Sequence, residues 1–242
     1  MTVDLGAARS FYTELFGWEL AEGGPDTGGY TMALVDGHSA AGLGPIPPGT
    51  QMPTVWTTYL ATDDADATAA AIKAAGGAVY QEPFDVMTFG RMGVAADPSG
   101  SMFGFWQSQD HHGAEIANVP NTMVWNECLS RDWEAAKAFY ASVFGTTYTD
   151  MSGNGFEYAT IEVDGRTVGG IGAMPAQAPA GVPSNWMVYF DVLDTDATVA
   201  KVEQLGGSVM RPASDSPYGR MATLTDPQGG AFAIISSSTT PQ

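Results

Sequence analysis

The chain has one cysteine, Cys128, three histidines and nine lysines plus arginines in 242 residues. A single cysteine excludes an intrachain disulfide and fits a reducing compartment. Against those nine basic residues stand twenty-seven acidic ones, for a formal net charge of −18. Nucleic acid and anionic membrane are therefore not expected as partners. No apolar run is long enough to span a bilayer, and no basic stretch followed by an apolar one opens the chain. A cytoplasmic location is the expectation. The acidic residues gather at loops and helix starts, as in Asp63-Asp64-Ala65-Asp66 and Asp191-Val192-Leu193-Asp194-Thr195-Asp196, where helix N-termini favour negative charge.

What the chain does have is repetition. Phe89-Gly90-Arg91-Met92 leading to Asp97-Pro98-Ser99-Gly100 returns as Tyr218-Gly219-Arg220-Met221 leading to Asp226-Pro227-Gln228-Gly229, at an offset of about 129 residues. Phe11-Tyr12 returns as Phe139-Tyr140, Phe16-Gly17 as Phe144-Gly145, Trp56 as Trp186, and Gly76-Gly77 as Gly206-Gly207. The length suits two domains of roughly 110 residues, each able to bury a core. The expected division is 1–108, a linker over 109–120, and 121–238.

Within the first half, apolar spacing predicts helices over 4–16 and 64–75, and strands over 30–35, 39–43, 55–61, 91–96 and 102–106. The second half repeats this with helices over 133–144 and 195–205, and strands over 122–129, 157–163, 167–172, 186–190, 220–224 and 231–235. Each half thus reads as two β-α-β-β-β modules. Gly/Pro/Ala-rich loops at 44–53 and 172–184 join the modules within each half. The halves do not start alike: residues 122–128 have no counterpart ahead of Phe11-Tyr12, so the first domain is expected to lack its opening strand and to leave a sheet edge needing cover. A shortened or differently chosen gene start is the favoured explanation, with a strand supplied by another chain and a genuine adaptation as the alternatives, and a homodimer stays open.

Paired β-α-β-β-β modules, an early Phe-Tyr followed by Phe-Gly, and a late Asp-Pro-x-Gly before the last strand together resemble the vicinal oxygen chelate superfamily, the glyoxalase, bleomycin resistance protein and extradiol dioxygenase group. Trp56-Thr57-Thr58-Tyr59, Glu82-Pro83-Phe84-Asp85-Val86 and Trp125-Asn126-Glu127-Cys128 are similar to two-domain glyoxalase-like proteins of actinobacteria that carry a hydroxylase label. The resemblance implies an α+β fold of tandem domains, each a curved open barrel around a ligand cavity. It also implies metal donors on the first and last strands of each module. Carried onto this chain, those positions are Gly42, Thr57 and Gly104 in the first half, and Asn126, Gly170, Met187 and Ala233 in the second. Glycine and alanine carry no donor, and the remainder is a poor set for a hard divalent ion, so no metal and no cofactor is expected. His38 sits in a turn and His111 and His112 in the connector, with no carboxylate at suitable local spacing.

Strand alternation pairs Thr57 with Tyr59, Gly104 with Trp106, Asn126 with Cys128, and Met187 with Tyr189. Thr57, Tyr59, Trp106, Asn126, Met187 and Tyr189 are therefore the expected ligand-binding residues, through stacking, hydrogen bonding and the adaptable thioether. Glu127 is expected to face the helical layer. Asn126, Glu127 and Cys128 are the candidates for chemistry, though no nucleophile-base-acid set emerges. Arg91 and Arg220 recur at matched places, to hold a carboxylate or to receive an anion. The leading expectation is a metal-free small-molecule-binding protein for sequestration of, or resistance to, an aromatic or polyketide-like metabolite. The alternatives are a tailoring isomerase, lyase, cyclase or hydroxylase using the same cavity, and an assembly module. The sequence leaves turnover open.

Overall fold

The computed structural model describes residues 1–153 and 155–237. Four modules follow one another. The first holds α1 (Leu5–Phe16), β1 (Glu19–Glu22), β2 (Thr31–Val35) and β3 (His38–Leu43). The second holds β4 (Tyr59–Ala61), α2 (Ala65–Ala74), β5 (Ala78–Val86), β6 (Gly90–Ala96) and β7 (Met102–Ser108). The third holds β8 (Met123–Ser130), α3 (Trp133–Phe144), β9 (Thr147–Asp150), β10 (Tyr158–Val163) and β11 (Arg166–Ala173). The fourth holds β12 (Asn185–Asp191), α4 (Thr195–Gln204), β13 (Ser208–Ser216), β14 (Gly219–Thr225) and β15 (Ala231–Ser237).

All four helices start in the same way. Asp4, Asp64, Asp132 and Asp194 each place a side-chain oxygen on the amide of the alanine three residues on, satisfying an orphan N–H and favouring the positive helix end. The helices of the first and third modules end on Gly17 and Gly145 in the left-handed region, at φ 71° and 67°, where a side chain would be strained.

The four strands that the sequence reading missed, β1, β5, β9 and β13, each follow a helix and lie at the outer edge of their module's strand order. Their exposure explains the omission. β5 and β13 show the same mostly exposed pattern, with Pro83 and Pro212 inside register shifts that bulge the strand away from β6 and β14. Edge strands with few apolar residues and a proline at a bulge are the places where period-two patterning fails.

The modules assemble into two compact units that cut across the sequence repeat. Unit 1 comprises Met1–Trp56, Gly113–Val124 and Val188–Gln242; unit 2 comprises Thr57–His112 and Trp125–Met187. The outer modules thus share one unit and the inner modules the other. The core of unit 1 is aromatic, with Phe11, Tyr12, Phe16, Trp18, Phe190 and Phe232 buried together. That of unit 2 gathers Ile72, Phe103, Phe105, Phe139, Tyr140 and Ile171 with Cys128. Ahead of α1, Thr2 bridges Pro45 in parallel, its amide donating to Gly44 and its carbonyl accepting from Ile46.

Among the described residues, no helix is long and apolar enough to cross a membrane.

Candidate functional site

The repeated Phe-Tyr, Trp and Asp-Pro motifs meet in each unit's interior. In unit 1, Trp56 Nε1 donates to Tyr12 Oη at 2.8 Å, and Tyr12 donates to Asp226 Oδ2 at 2.9 Å. In unit 2, Trp186 Nε1 donates to Tyr140 Oη at 2.8 Å, and Tyr140 donates to Asp97 Oδ2 at 3.2 Å. The second carboxylate oxygen is engaged by the turn itself: Asp97 Oδ1 accepts from the Ser99 and Ser101 amides, and Asp226 Oδ1 from those of Gln228 and Gly230. Burial, reinforced by the nearby negative charge, holds both tyrosines well above their usual pKa. The most conspicuous motif of the chain is therefore a buried lock, in which a tyrosine of one module meets the aspartate of the module paired with it.

On β8 the structure reverses the expected orientation. Cys128 is fully buried in the core with Ala136, Phe139 and Tyr140 of α3 and lies 3.5 Å from Ser101 Oγ. Alternation puts Asn126 on this helical side, where Asn126 Oδ1 accepts from Thr58 Oγ1 at 2.8 Å. Glu127 takes the opposite face, away from the helical layer. A one-residue difference in register exchanges the faces of a whole strand. Burial pushes the Cys128 thiol up to about 12, which disfavours the nucleophilic thiolate at neutral pH. Iodoacetamide at pH 8 is expected to leave Cys128 unmodified in the native protein and to alkylate it fully in 6 M guanidinium; rapid native labelling, read by mass spectrometry, would show the thiol to be accessible.

The face carrying Glu127 holds a second tyrosine relay, and this one is half-buried. Trp125 Nε1 donates to Tyr158 Oη at 2.9 Å, and Tyr158 donates to Glu127 Oε2 at 3.1 Å. Gly170 is paired with Glu127 across the parallel β8–β11 ladder. A Cβ on Gly170 would lie 1.8 Å from Tyr158 Oη and one on Gly172 2.6 Å from its ring, so both glycines are required for the tyrosine to lie flat on the sheet. Phe156, 53% exposed, stacks on Tyr158 at a centroid distance of 5.2 Å and an interplanar angle of 17°.

The same substitution of tyrosine for a donor recurs at other positions where the family resemblance implies metal ligands. In unit 1 the Tyr30 hydroxyl lies over Gly42, 1.8 Å from where a Cβ would stand. In unit 2 the Tyr59 ring lies over Gly104, its partner in the β4–β7 ladder, 2.3 Å from a would-be Cβ. Ala233 is paired with Tyr189 in the β12–β15 ladder. These donor positions do not suit a divalent ion: Gly42, Gly104, Gly170 and Ala233 offer no donor, and at all three glycines a tyrosine fills the space a ligand side chain would need. No group of three or more His, Cys, Asp or Glu side chains able to hold a metal occurs among the described residues.

The remaining candidates are placed as follows. Trp106 packs over Gly90 and donates Nε1–H to the His111 carbonyl at 2.9 Å. Thr57 and Met187 are half-buried, His38 opens β3 at the surface, and His112 is exposed. Arg91 binds Asp66 through two nitrogens and Asp85 through a third; Arg220 does the same with Asp196 and Asp215. The hydrogen bond from Arg91 lowers the Asp66 pKa, and that from Arg220 lowers the Asp196 pKa. Both arginines tie helix to sheet. A cavity of about 20 Å³ in unit 1 is walled by Thr54, Tyr12 and Asp226 among others, room for one water and too small for an organic ligand. An open depression of about 260 Å³, also in unit 1, lies beside Leu15, Leu193 and Lys201. Neither is lined by Thr57, Tyr59, Trp106, Asn126, Met187 or Tyr189.

Residues 1–105 and 127–234 match the family described as the Glyoxalase/Bleomycin resistance protein/Dioxygenase superfamily. The chain belongs to this superfamily. A glyoxylase-named relative of this vicinal oxygen chelate protein, CFP32 of Mycobacterium bovis and Mycobacterium tuberculosis, is 41% identical over 240 residues, covering 97% of this chain and 91% of the relative. The anthracycline biosynthesis protein DnrV of Streptomyces peucetius is 37% identical over 246 residues, covering 96% and 89%. Among solved structures, the Mn(II)-bound glyoxalase from Novosphingobium aromaticivorans is similar at a TM-score of 0.63 and 19% identity, over 97% of this chain and 79% of that one. The 2,3-dioxygenase LapB from Pseudomonas sp. KL28 is similar at 0.62 and 12%, over 100% and 91%. Both solved structures share the fold.

Trp125, Phe156 and Tyr158 were not among the sequence candidates. One signal was available: Tyr30 and Tyr158 occupy matching places in the first and third modules, each ahead of a glycine pair, Gly42 with Gly44 and Gly170 with Gly172.

Proposed function

We propose that this vicinal oxygen chelate protein binds a small organic molecule, an aromatic or polyketide-like metabolite, without a metal, and acts in its sequestration or in resistance to it. One observation carries the reading: tyrosines overlie Gly42, Gly104 and Gly170, so stacking surface and hydroxyl groups stand where the family resemblance implies ion ligands. Aromatic faces with a few placed polar groups are what flat organic ligands require. The similarity to DnrV, an anthracycline biosynthesis protein, supports the same ligand class. It also supports a second reading, a tailoring enzyme working on such a metabolite, with Glu127 rather than Cys128 or Asn126 as the group able to exchange a proton.

The test is a titration of EDTA-dialysed protein with 2-hydroxyanthraquinone, followed by tryptophan fluorescence. Saturable quenching is expected, unchanged by added Mn²⁺ and reduced at least twofold in amplitude by Trp125→Phe. Absence of saturable quenching, or quenching only after metal is added, would overturn the metal-free binding reading. Mass spectrometry of the incubated probe separates the two readings: recovery of intact probe supports retention, and a protein-dependent product lost in Glu127→Gln supports turnover.

A further inference from the structure

The open depression of about 260 Å³ in unit 1 joins apolar side chains to one lysine. Leu15 of α1 and Val192 and Leu193, between β12 and α4, supply the apolar part. Lys201 supplies the charge from the last turn of α4.

The matched surface of unit 2 lacks both features. Leu193 and Lys201 correspond to Asp63 and Ala71 of the second module. Leu193, at 84%, is the most exposed large apolar side chain among the described residues, and covering it would remove unfavourable apolar contact with water. The lysine has moved as well. α2 and α4 each carry one lysine in the last turn, where the helix dipole favours a cation. Lys73 of α2 pairs with Glu82 at 2.7 Å, as Lys137 does with Glu134 at 2.9 Å. The place matching Lys73 in α4 is Glu203, and the lysine stands two residues earlier, about 200° round the helix. That shift brings Lys201 into the depression, half-buried and in no ion pair among the described residues. In a chain with twenty-seven acidic residues against nine basic ones, a half-buried cation without a protein carboxylate is suited to an anion from solution.

Asn121 adds a second donor. Its backbone is held in the left-handed region at φ 67°, with its amide donating to the Asp191 carbonyl at 2.8 Å and its carbonyl accepting from Trp18 Nε1 at 2.7 Å. The Asn121 side chain lines the depression, and its amide group is in no hydrogen bond among the described residues. Asp194 sets the direction. It caps α4 through the Ala197 amide at 3.0 Å, and it lies seven residues before Lys201, about 10 Å along the helix. Its charge opposes an anion at that end, so a carboxylate is drawn to Lys201.

Independently of the reading above, since none of these residues overlies Gly42, Gly104 or Gly170, we infer that this depression binds a small organic acid. Its single carboxylate meets Lys201 and Asn121, and its apolar body lies against Leu15, Val192 and Leu193. The volume falls just below the roughly 300–1,000 Å³ of drug-sized sites, which suits a body of one or two rings.

The experiment titrates ¹⁵N-labelled full-length protein with 2-naphthoate and, separately, with neutral 2-naphthamide, following backbone amide shifts by NMR. Saturable shifts are expected for the amides of Leu193, Ala197, Thr198 and Lys201. Wild type is expected to prefer the carboxylate by about fivefold, the upper range for a partly exposed ion pair. Lys201→Met keeps the apolar stem and removes the charge, and is expected to bring the ratio below about twofold. Leu193→Ala is expected to weaken both probes alike by about threefold. Absence of saturable shifts at these amides overturns the inference, as does equal binding of the two probes by wild type. An undiminished preference in Lys201→Met overturns the role of the lysine, and unchanged binding of both probes by Leu193→Ala overturns the apolar contact. Should Lys201→Met misfold, Lys201→Gln serves as the neutral variant with the same two outcomes. The anthraquinone titration above does not depend on any of these results.

Discussion

Asp97→Ala is expected to lower the stability of unit 2 by about 3–5 kcal/mol, the range for removing one partner from a buried charged network. The carboxylate accepts from the Ser99 amide at 2.8 Å, the Ser99 hydroxyl at 2.7 Å, the Ser101 amide at 3.1 Å and Tyr140 at 3.2 Å. Alanine leaves those donors facing a protein interior, and Ser101 and Tyr140 are almost wholly buried. Each unsatisfied buried donor costs about 1–3 kcal/mol, but the losses do not add fully because the turn relaxes. Asp97→Asn keeps one oxygen and should cost about half as much. Urea unfolding followed by fluorescence reports this directly, because Trp106, Trp125, Trp133 and Trp186 all belong to unit 2. Asp226→Ala is the matched experiment in unit 1, whose tryptophans are Trp18 and Trp56. A loss below about 1 kcal/mol for both variants would reduce the repeated Asp-Pro motif to an ordinary turn.

The second large effect is expected at Gly170. Its backbone is not in the left-handed region, so replacement by valine acts through collision alone. The new Cβ would stand 1.8 Å from Tyr158 Oη and 3.1 Å from Trp125 Nε1, which drives the tyrosine off the sheet and breaks its bonds to Trp125 and Glu127. Gly170→Val should lose about 1–3 kcal/mol, the range of overpacking. It should also weaken hydroxyanthraquinone binding by up to about tenfold, as the tyrosine lying over Gly170 is displaced. The double variant Gly170→Val with Tyr158→Ala removes the obstacle, and its loss of stability should be smaller than the sum of the single losses by about 1 kcal/mol or more. Additivity within about 0.5 kcal/mol would mean that Tyr158 does not occupy the space above Gly170.

The sequence repeat disclosed the modules and their helices because each helix carries an aspartate cap, an apolar face and a closing glycine, all local signals. It disclosed inner strands such as β6 and β7 because they are short, largely buried runs bounded by turn residues. It did not disclose β5 and β13, whose exposed residues and prolines carry no period. Nor did it disclose which modules pair, since a module offers the same apolar surface to any of the other three. The site was half-legible. Gly42, Gly104 and Gly170 were recognised as positions without donors, but what fills them was not, because Tyr30 and Tyr158 come from neighbouring strands whose approach depends on the ladder. β8 is the sharpest case. Asn126, Glu127 and Cys128 are consecutive, all three are plausible on either face, and only packing of Cys128 against α3 decides which face each takes.

The interleaving of the units bears on how the chain folds as it leaves the ribosome. Unit 2 is complete once Met187 has emerged, and its two pieces are separated by a short excursion of twelve residues, Gly113–Val124. Unit 1 begins first but closes last: α1 and β1–β3 must wait for the segment from Val188 onward to cover their apolar faces. During that interval Phe11, Tyr12, Phe16 and Trp18 lack the partners Phe190 and Phe232 that enclose them in the finished protein. Domains that finish early fold early during synthesis, and exposed aromatic clusters invite misassembly. The first module is thus the part whose apolar face waits longest for its cover, although it precedes the other modules in the chain.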